Sequence, residues 1–337
     1  MLLYRNILKQ SWKITWRNKY LWFFGIFAAL LGGGGECKIL LRSLGEDNQG
    51  ISPAFDQIAK TGVFSKQAFD NIKEMISQDS LSFFTTMAVL LAVIILIGFL
   101  VWLTIVSQVA IVNNTANIVK QKKHNFKEGM DKGIKKFWSV FALNIIANAI
   151  IFLIFAIISL PFIFAINKIN IVATSLFYAI LFIIFIPVAI SLSFIIKYAI
   201  VYVVIQGSSL FKAIKLGWKL FMDNWLISFE MALILFFINF VGGLFILLII
   251  LILAIPFLSL GFIFSFLASV VGFWATAILA FLTALLLIVI GGAMLSVFQI
   301  SSWTGLFIEL VKNGGTAKIV RIFDTLQINK SNSGYHK

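Results

Sequence analysis

The sequence has few cysteine and histidine residues, which often bind metals or, as cysteine, stabilise a small fold through disulfides. Its single cysteine, Cys37, cannot form a disulfide within the chain, and two histidines, His124 and His336, are too few for a zinc site of the finger or ribbon type. Only 12% of the 337 residues are charged, whereas soluble domains carry about 25%. We therefore expect no cofactor, and we exclude a water-soluble globular chain.

Long uncharged stretches take the place of a polar surface. Hydrophobic residues make up 61% of the chain, and 36 residues are phenylalanine. The longest stretch, residues 231–308, would form a helix of about 117 Å, so it must fold back within a hydrocarbon core of about 30 Å. We predict a break near Pro256 and Gly261, with residues 257–273 as a hairpin or interfacial helix.

These stretches predict an all-α integral membrane protein with about six transmembrane helices. The predicted spans are residues 20–35, 84–110, 138–162, 174–204, 225–254 and 275–300. The first span is short and ends in consecutive glycines. An interfacial helix and a cleaved signal peptide are therefore the alternatives to a spanning helix at that position.

Basic residues are distributed unevenly between the two sides of this topology. Twenty of the 27 lysine and arginine residues fall on the side of both chain ends, and six fall on the other side. Since such residues are retained in the cytoplasm, we predict a multi-pass protein of the plasma membrane with both termini cytoplasmic. The predicted domains are a cytoplasmic amphipathic helix at 1–19, a membrane domain at 20–310 with an extracytoplasmic loop at 36–80, and a cytoplasmic tail at 311–337.

Three cytoplasmic segments have the pattern of basic amphipathic helices that enter a span. Aligning Gly133 with Gly217 also matches Lys135 with Lys219, and the N-terminal SWKITWRNKYLW resembles GWKLFMDNWLIS. Such helices lie on membranes, and the formal net charge of +14 indicates anionic inner-leaflet lipids as partners rather than nucleic acid. The candidate lipid-surface contacts are Lys9, Lys13, Arg17, Lys132, Lys135, Lys212, Lys215 and Lys219.

Two interpretations of this pattern are open. The helices are either the interfacial anchors of an ordinary membrane protein or the sign of an internal repeat with a lipid-sensing cytoplasmic collar. The repeat would be parallel, because each unit runs from the inside to the outside. A further surface helix is predicted after the last span from the apolar residues Trp303, Leu306, Phe307 and Leu310.

Polar side chains inside the predicted spans are the residues that most often carry function. They form a candidate intramembrane polar site in the cytoplasmic halves of the spans: Gln108, Asn144, Asn148, Lys197, Glu230 and Gln299. Either they hold the helices together, with Lys197 reaching the interface, or they line a water-filled vestibule. The glycine pairs at 242–243 and 291–292 fit close helix packing or, alternatively, unwound binding segments.

Signatures of catalysis are absent from the sequence. It contains no nucleophile elbow, Walker loop, dinucleotide fingerprint or zinc-protease helix. We therefore predict that the protein is not an enzyme.

Three segments carry a resemblance to a known family. SWKITWRNKYLWFFGIFAALLGGGGE, SLFKAIKLGWKLFMDNW and SSWTGLFIEL resemble the bacterial membrane domain that precedes the catalytic barrel in some glycerophosphodiester phosphodiesterases, and its uncharacterised stand-alone relatives. The resemblance implies a helical membrane domain over most of the chain. The barrel and its metal-binding acids are absent, so we expect no phosphodiesterase activity.

The sequence therefore favours a non-enzymatic, lipid-interacting membrane scaffold. A second copy of the chain or another membrane protein is its candidate protein partner. The alternative is a permease-like transporter of a small solute, and a third hypothesis is an enzyme acting on a lipid headgroup near Lys197 and Glu230.

Overall fold

The computed structural model describes residues 2–30, 80–165 and 171–313, and all the regular elements among them are helices. In chain order they are α1 Leu2–Arg17, α2 Tyr20–Leu30, α3 Ser80–Val119, α4 Phe126–Ala165, α5 Ile171–Val201, α6 Leu210–Asp223, α7 Trp225–Phe266 and α8 Val270–Asn313. A π-helical turn, Tyr202–Gln206, continues α5. Five helices are long and apolar enough to cross a membrane, namely α3, α4, α5, α7 and α8.

The first predicted span is represented by α2, which has 11 residues. At 1.5 Å per residue it extends about 16 Å, roughly half of a hydrocarbon core. Its buried residues Leu21, Phe24 and Ala28 pack with Val297 of α8. Residues 31–35 and most of the loop at 36–80 lie outside the described residues, so a sixth span stays a prediction.

The predicted break at Pro256 is wrong, because α7 continues through this proline to Phe266. A proline removes one backbone donor, and a membrane helix tolerates that loss when its other groups remain bonded. The chain reverses instead at residues 267–269, inside the predicted hairpin region. There Ser269 N donates to Phe264 O at 2.9 Å, Ala268 N donates to Ser265 O at 3.1 Å, and Ala268 has a φ of 50°.

Helices α7 and α8 form an antiparallel hairpin, and two glycine contacts pair the helices with the same offset along the chain. Gly242 lies against Leu295, and Gly291 lies against Ile246. A Cβ added at Gly242 would stand 2.8 Å from Leu295 Cδ2, whereas one added at Gly243 or Gly292 would meet nothing within 4 Å. One glycine of each pair therefore lets the two helices approach closely, as expected for small residues between membrane helices.

The hydrophobic core gathers one end of each long helix together with α1 and α6. It includes Ile7 of α1, Leu143 of α4, Val203 beyond α5, Leu220 of α6 and Leu306 of α8. Past this core, every residue of α7 from 236 to 266 is at least partly exposed. Helices α7 and α8 thus have a packed end and an exposed apolar end.

The surface helix predicted after the last span is wrong. Its residues are the last turns of α8, and Trp303, Leu306, Phe307 and Leu310 are all buried in the core. They pack on the end of α5, where the ring centroids of Tyr202 and Phe307 are 4.6 Å apart. An apolar stripe at helical spacing fits a protein core as well as a membrane surface, so the pattern alone could not separate the two.

The described residues fall into two compact units, one of residues 2–30, 104–165 and 171–313 and one of residues 80–103. In the second unit, Phe99 stacks on Trp102 with 5.8 Å between ring centroids. Its apolar side chains are mostly exposed. All features discussed below belong to the first unit.

Candidate functional site

Helix α6 has three different sides. The side that faces the core consists of Ala213, Gly217, Leu220 and Phe221. An exposed apolar side consists of Phe211, Trp218 and Met222, and Trp218 is 55% exposed. The third side carries the exposed lysines Lys212, Lys215 and Lys219. Because a helix has 3.6 residues per turn, these three sets lie on adjacent sides of one cylinder.

Helix α1 has the same division. Its buried side consists of Tyr4, Ile7, Ser11, Ile14 and Thr15. The basic residues Arg5, Lys9, Lys13 and Arg17 follow one another at intervals of four and are exposed. Trp12 and Trp16 are exposed between these two sides, and their rings form an edge-to-face pair with centroids 5.6 Å apart.

The first turns of α4 show the arrangement a third time. Gly129 and Gly133 are buried, while Ile134 and Trp138 are exposed, Trp138 by 75%. Lys135 is exposed, and Lys132 is half-buried. The predicted lipid-contact residues therefore lie beside exposed apolar side chains on all three helices.

Glycine contacts position α4 and α6 against the preceding helices. A Cβ added at Gly217 would stand 2.7 Å from Ile195 O and 3.1 Å from Ala199 N of α5. A Cβ added at Gly133 would stand 2.7 Å from Val106 O of α3. Only a residue without a side chain permits such an approach to a neighbouring backbone, so these glycines fix how each basic helix packs.

Two asparagines end α1 and α6 in the same way. Asn18 Nδ2 donates to Ile14 O at 3.0 Å, and Asn224 Nδ2 donates to Leu220 O at 3.1 Å. Each amide donates to a carbonyl oxygen in the last turn of its helix. The next helix then begins within three residues, α2 after Asn18 and α7 after Asn224.

Three of the four amides of the candidate intramembrane site, Gln108, Asn144 and Asn148, lie in one chain of hydrogen bonds. Asn148 Nδ2 donates to Asn144 O at 3.0 Å, and Asn144 Nδ2 donates to Gln108 Oε1 at 3.4 Å. Asn144 Nδ2 also donates to Val140 O at 2.9 Å. Asn148 is exposed, whereas Asn144 and Gln108 are half-buried. These amides connect α3 to α4.

The charged residues of that site have aromatic neighbours. Glu230 is 9% exposed, and its carboxylate accepts a hydrogen bond from the hydroxyl of Tyr4 on α1. The ammonium nitrogen of Lys197 lies 4.6 Å from the ring centroid of Trp303, a distance at which a cation and an aromatic face attract. Gln299 of α8 is buried. Glu230 therefore connects α7 to α1, and Lys197 connects α5 to α8.

Hydroxyl pairs inside the core were missed by the sequence analysis. Thr115 Oγ1 of α3 and Ser301 Oγ of α8 are 2.9 Å apart and fully buried. Tyr198 Oη of α5 and Ser228 Oγ of α7 are 2.7 Å apart. Single hydroxyls in apolar stretches give no periodic signal, so nothing in the sequence pointed to these pairs.

A polar cleft opens where the corner between α3 and α4 meets the end of α5. Its volume is about 570 Å³, and its apolar lining residues are Ala116, Val204 and Ile205. Amide side chains and charged residues complete the lining: Asn113, Asn117, Asn125, Lys120, Lys122, Lys127, Glu128, Asp131, Lys132 and Lys135. The sequence singled out Lys132 and Lys135 but not the cleft, since its walls come from three separate segments.

Local hydrogen bonds hold the corner in place. Asn117 Nδ2 donates to Glu128 Oε1 at 3.0 Å, which joins the end of α3 to the start of α4. Asn125 Oδ1 accepts from Glu128 N at 2.7 Å and so caps α4. Lys122 N donates to Asn117 O at 2.8 Å. The cleft walls are therefore set by the backbone and by amide caps.

Among the residues described, no three histidine, cysteine or acidic side chains lie close enough together to hold a metal ion. In the part of the chain that the structure describes, the long apolar helices indicate a helical membrane protein by composition and length. A family model matches residues 17–302, so the chain belongs to DUF7544, a family of unknown function. No curated protein and no solved structure matches the chain.

Proposed function

We propose that the protein is a non-enzymatic, multi-pass scaffold of the plasma membrane that binds anionic inner-leaflet lipids through α1, the start of α4, and α6. Both termini are cytoplasmic in this proposal. The observation that carries it is the division of α6 into a packed side, an exposed side with Phe211 and Trp218, and a lysine side. An interfacial helix needs the last two sides, one for acyl chains and one for headgroups.

The exposed end of the α7–α8 hairpin supports a membrane position. Residues 244–266 and 270–292 each number 23, so each segment extends about 35 Å, slightly more than a hydrocarbon core. In this position the basic helices lie at the boundary of the bilayer, beside the packed end of the hairpin. Their lysines then face the headgroups of the inner leaflet.

An internal repeat is part of the proposal. A shift of 84 residues aligns Gly133 with Gly217 and Asn144 with Ser228. Both glycines lie against the backbone of a preceding helix. The side chains of Asn144 and Ser228 both donate to the carbonyl oxygen four residues earlier, at 2.9 Å. These parallels support a common unit in which a basic helix folds back on one helix and leads into the next.

The N-terminal segment fits the same unit. A shift of 206 residues aligns Trp12 with Trp218 and Asn18 with Asn224. The tryptophans are exposed by 53% and 55%, and the asparagines make matching hydrogen bonds. In this proposal α1, the start of α4 and α6 together form a lipid-binding collar. Arg5, Lys9 and Lys13 of α1 face anionic lipid.

Spin-labelled lipids test the proposal on the full chain reconstituted in phosphatidylcholine vesicles. We expect the motionally restricted fraction of labelled phosphatidylglycerol to exceed that of labelled phosphatidylcholine at least about twofold, because lysines near a surface attract anionic lipid. The variant Lys212→Gln/Lys215→Gln/Lys219→Gln should lose much of this preference. The matched variant with arginine at the same three positions should keep it. Equal restriction of both labels by the unaltered chain would overturn the proposal.

A further inference from the structure

The cleft between α3, α4 and α5 has a strong excess of positive charge. Five lysines line it, Lys120, Lys122, Lys127, Lys132 and Lys135, against the two carboxylates of Glu128 and Asp131. One of these carboxylates already accepts a hydrogen bond from Asn117. The formal excess of three positive charges favours an anion and opposes a cation.

The other groups of the cleft narrow the kind of anion. The amides of Asn113, Asn117 and Asn125 offer N–H donors next to the ammonium groups. The start of α4 contributes the positive end of a helix dipole, since Lys127 and Glu128 belong to its first turn. Ammonium and amide donors around one space suit the several acceptor oxygens of a phosphate. The volume of about 570 Å³ falls in the usual range for a small-molecule site.

Exposed apolar side chains lie beside the lysines of the cleft. Ile134 and Trp138 of α4 are 48% and 75% exposed, and they are one and three residues away from Lys135 of the cleft lining. A phospholipid that places its phosphate among the lysines therefore has apolar side chains beside its acyl chains. A free phosphoester leaves those side chains without a partner of matching polarity.

We propose that this cleft is a single binding site for the phosphate of an anionic phospholipid headgroup. The site rests on the proposed function, but it differs from the exposed sides of α1 and α6 in being saturable at one lipid per chain. A soluble phosphate monoester has the same anionic chemistry and is the competing source.

Native mass spectrometry of the full chain in detergent tests the site. Phosphatidylglycerol and phosphatidylcholine with the same acyl chains are titrated separately. The first phosphatidylglycerol should bind at least about tenfold more tightly than phosphatidylcholine. The variant Lys127→Gln/Lys132→Gln should lose about tenfold of that affinity. The matched variant Lys19→Gln/Lys312→Gln, which removes two exposed basic charges outside the cleft, should change it less than about twofold.

Three outcomes overturn the proposal. The proposed site is refuted if the unaltered chain binds the two lipids with equal affinity. It is also refuted if the cleft variant binds phosphatidylglycerol as tightly as the unaltered chain does. Glycerol 3-phosphate is titrated as well, and if it binds as tightly as phosphatidylglycerol and displaces it, the ligand is a soluble phosphoester. The thermal unfolding midpoint of each variant is measured, and a cleft variant that unfolds early is replaced by Lys132→Gln alone.

The test separates this site from the proposed function. The variant Lys212→Gln/Lys215→Gln/Lys219→Gln should keep the first tight phosphatidylglycerol while it loses the preference seen with spin-labelled lipids. The cleft variant, which keeps the basic residues of α1 and α6, should lose the first tight phosphatidylglycerol and keep most of the spin-label preference. A chain that keeps the spin-label preference but has no tight first lipid refutes the cleft and leaves the lipid-binding collar in place.

Discussion

Gly217 of α6 lies against the backbone carbonyl oxygen of Ile195 on α5, at a distance that leaves no room for a methyl group. A Cβ there would stand 2.7 Å from that oxygen, and a Cβ at Gly133 would stand 2.7 Å from Val106 O. In both places the obstacle is backbone, which cannot rotate away as a side chain can. The two basic helices are therefore held on their neighbours by glycines.

The first prediction concerns these two contacts. Gly217→Ala and Gly133→Ala should each lower the free energy of unfolding by about 1–3 kcal/mol, because a methyl group forces the helices apart. The measurement is unfolding of the purified protein by titration with a denaturing detergent.

Gly243 provides the matched control, since a Cβ there would meet nothing within 4 Å. Gly243→Ala should leave stability unchanged or raise it by up to about 1 kcal/mol, because alanine favours the helix. If Gly217→Ala were as stable as Gly243→Ala, the packing role of Gly217 would be refuted.

Much of the fold could be predicted from the sequence, because hydropathy indicates which helices must be removed from water. Five of the predicted spans correspond to helices long and apolar enough to cross a membrane. The alignment of Gly133 with Gly217 placed together two residues that make the same kind of contact. The burial of Trp303 could not be predicted from the sequence, since an aromatic residue fits lipid, interface or core equally well.

The chain reverses inside the predicted region 257–273, but the break was predicted near Pro256 and Gly261 rather than at residues 267–269, for a local reason. The hydrogen bonds from Ala268 N and Ser269 N form a Schellman motif, in which the left-handed position is usually glycine. Alanine occupies it here, with a φ of 50°. The nearby Pro256 and Gly261 gave the expected breaker signals, yet both lie within α7. The cleft was missed because its walls meet only in the folded chain.

The second prediction follows from that turn. Ala268→Gly should raise the free energy of unfolding by about 1 kcal/mol, because the left-handed conformation costs an L-residue about that much and costs glycine little. The same detergent titration measures it. Ala254→Gly inside α7 is the matched control and should lower stability by about 1 kcal/mol. A destabilising Ala268→Gly would contradict the assigned turn.

The third prediction concerns the contact between α1 and α7. Tyr4→Phe removes the hydroxyl that donates to the buried carboxylate of Glu230 and should cost about 1.5–3 kcal/mol. Glu230→Gln keeps an acceptor oxygen but removes the charge. In that background Tyr4→Phe should cost less, because a hydrogen bond between neutral groups is weaker. The double-mutant cycle measures the difference, and full additivity would show that the two side chains are not coupled.

The fourth prediction separates the scaffold from the permease alternative at Asn148, an exposed residue of α4 just past the packed core. In the scaffold proposal lipid covers this residue, whereas a permease needs a water-filled path beside it.

The chain carrying Cys37→Ser and Asn148→Cys is treated with a membrane-impermeant thiol reagent in inside-out and right-side-out vesicles. We expect no labelling from either face, while Lys123→Cys, in the exposed turn before α4, labels from the cytoplasmic face. Labelling of Asn148→Cys from the cytoplasmic face alone would establish a hydrated vestibule and favour the permease, because a thiol in hydrocarbon neither ionises nor meets the reagent.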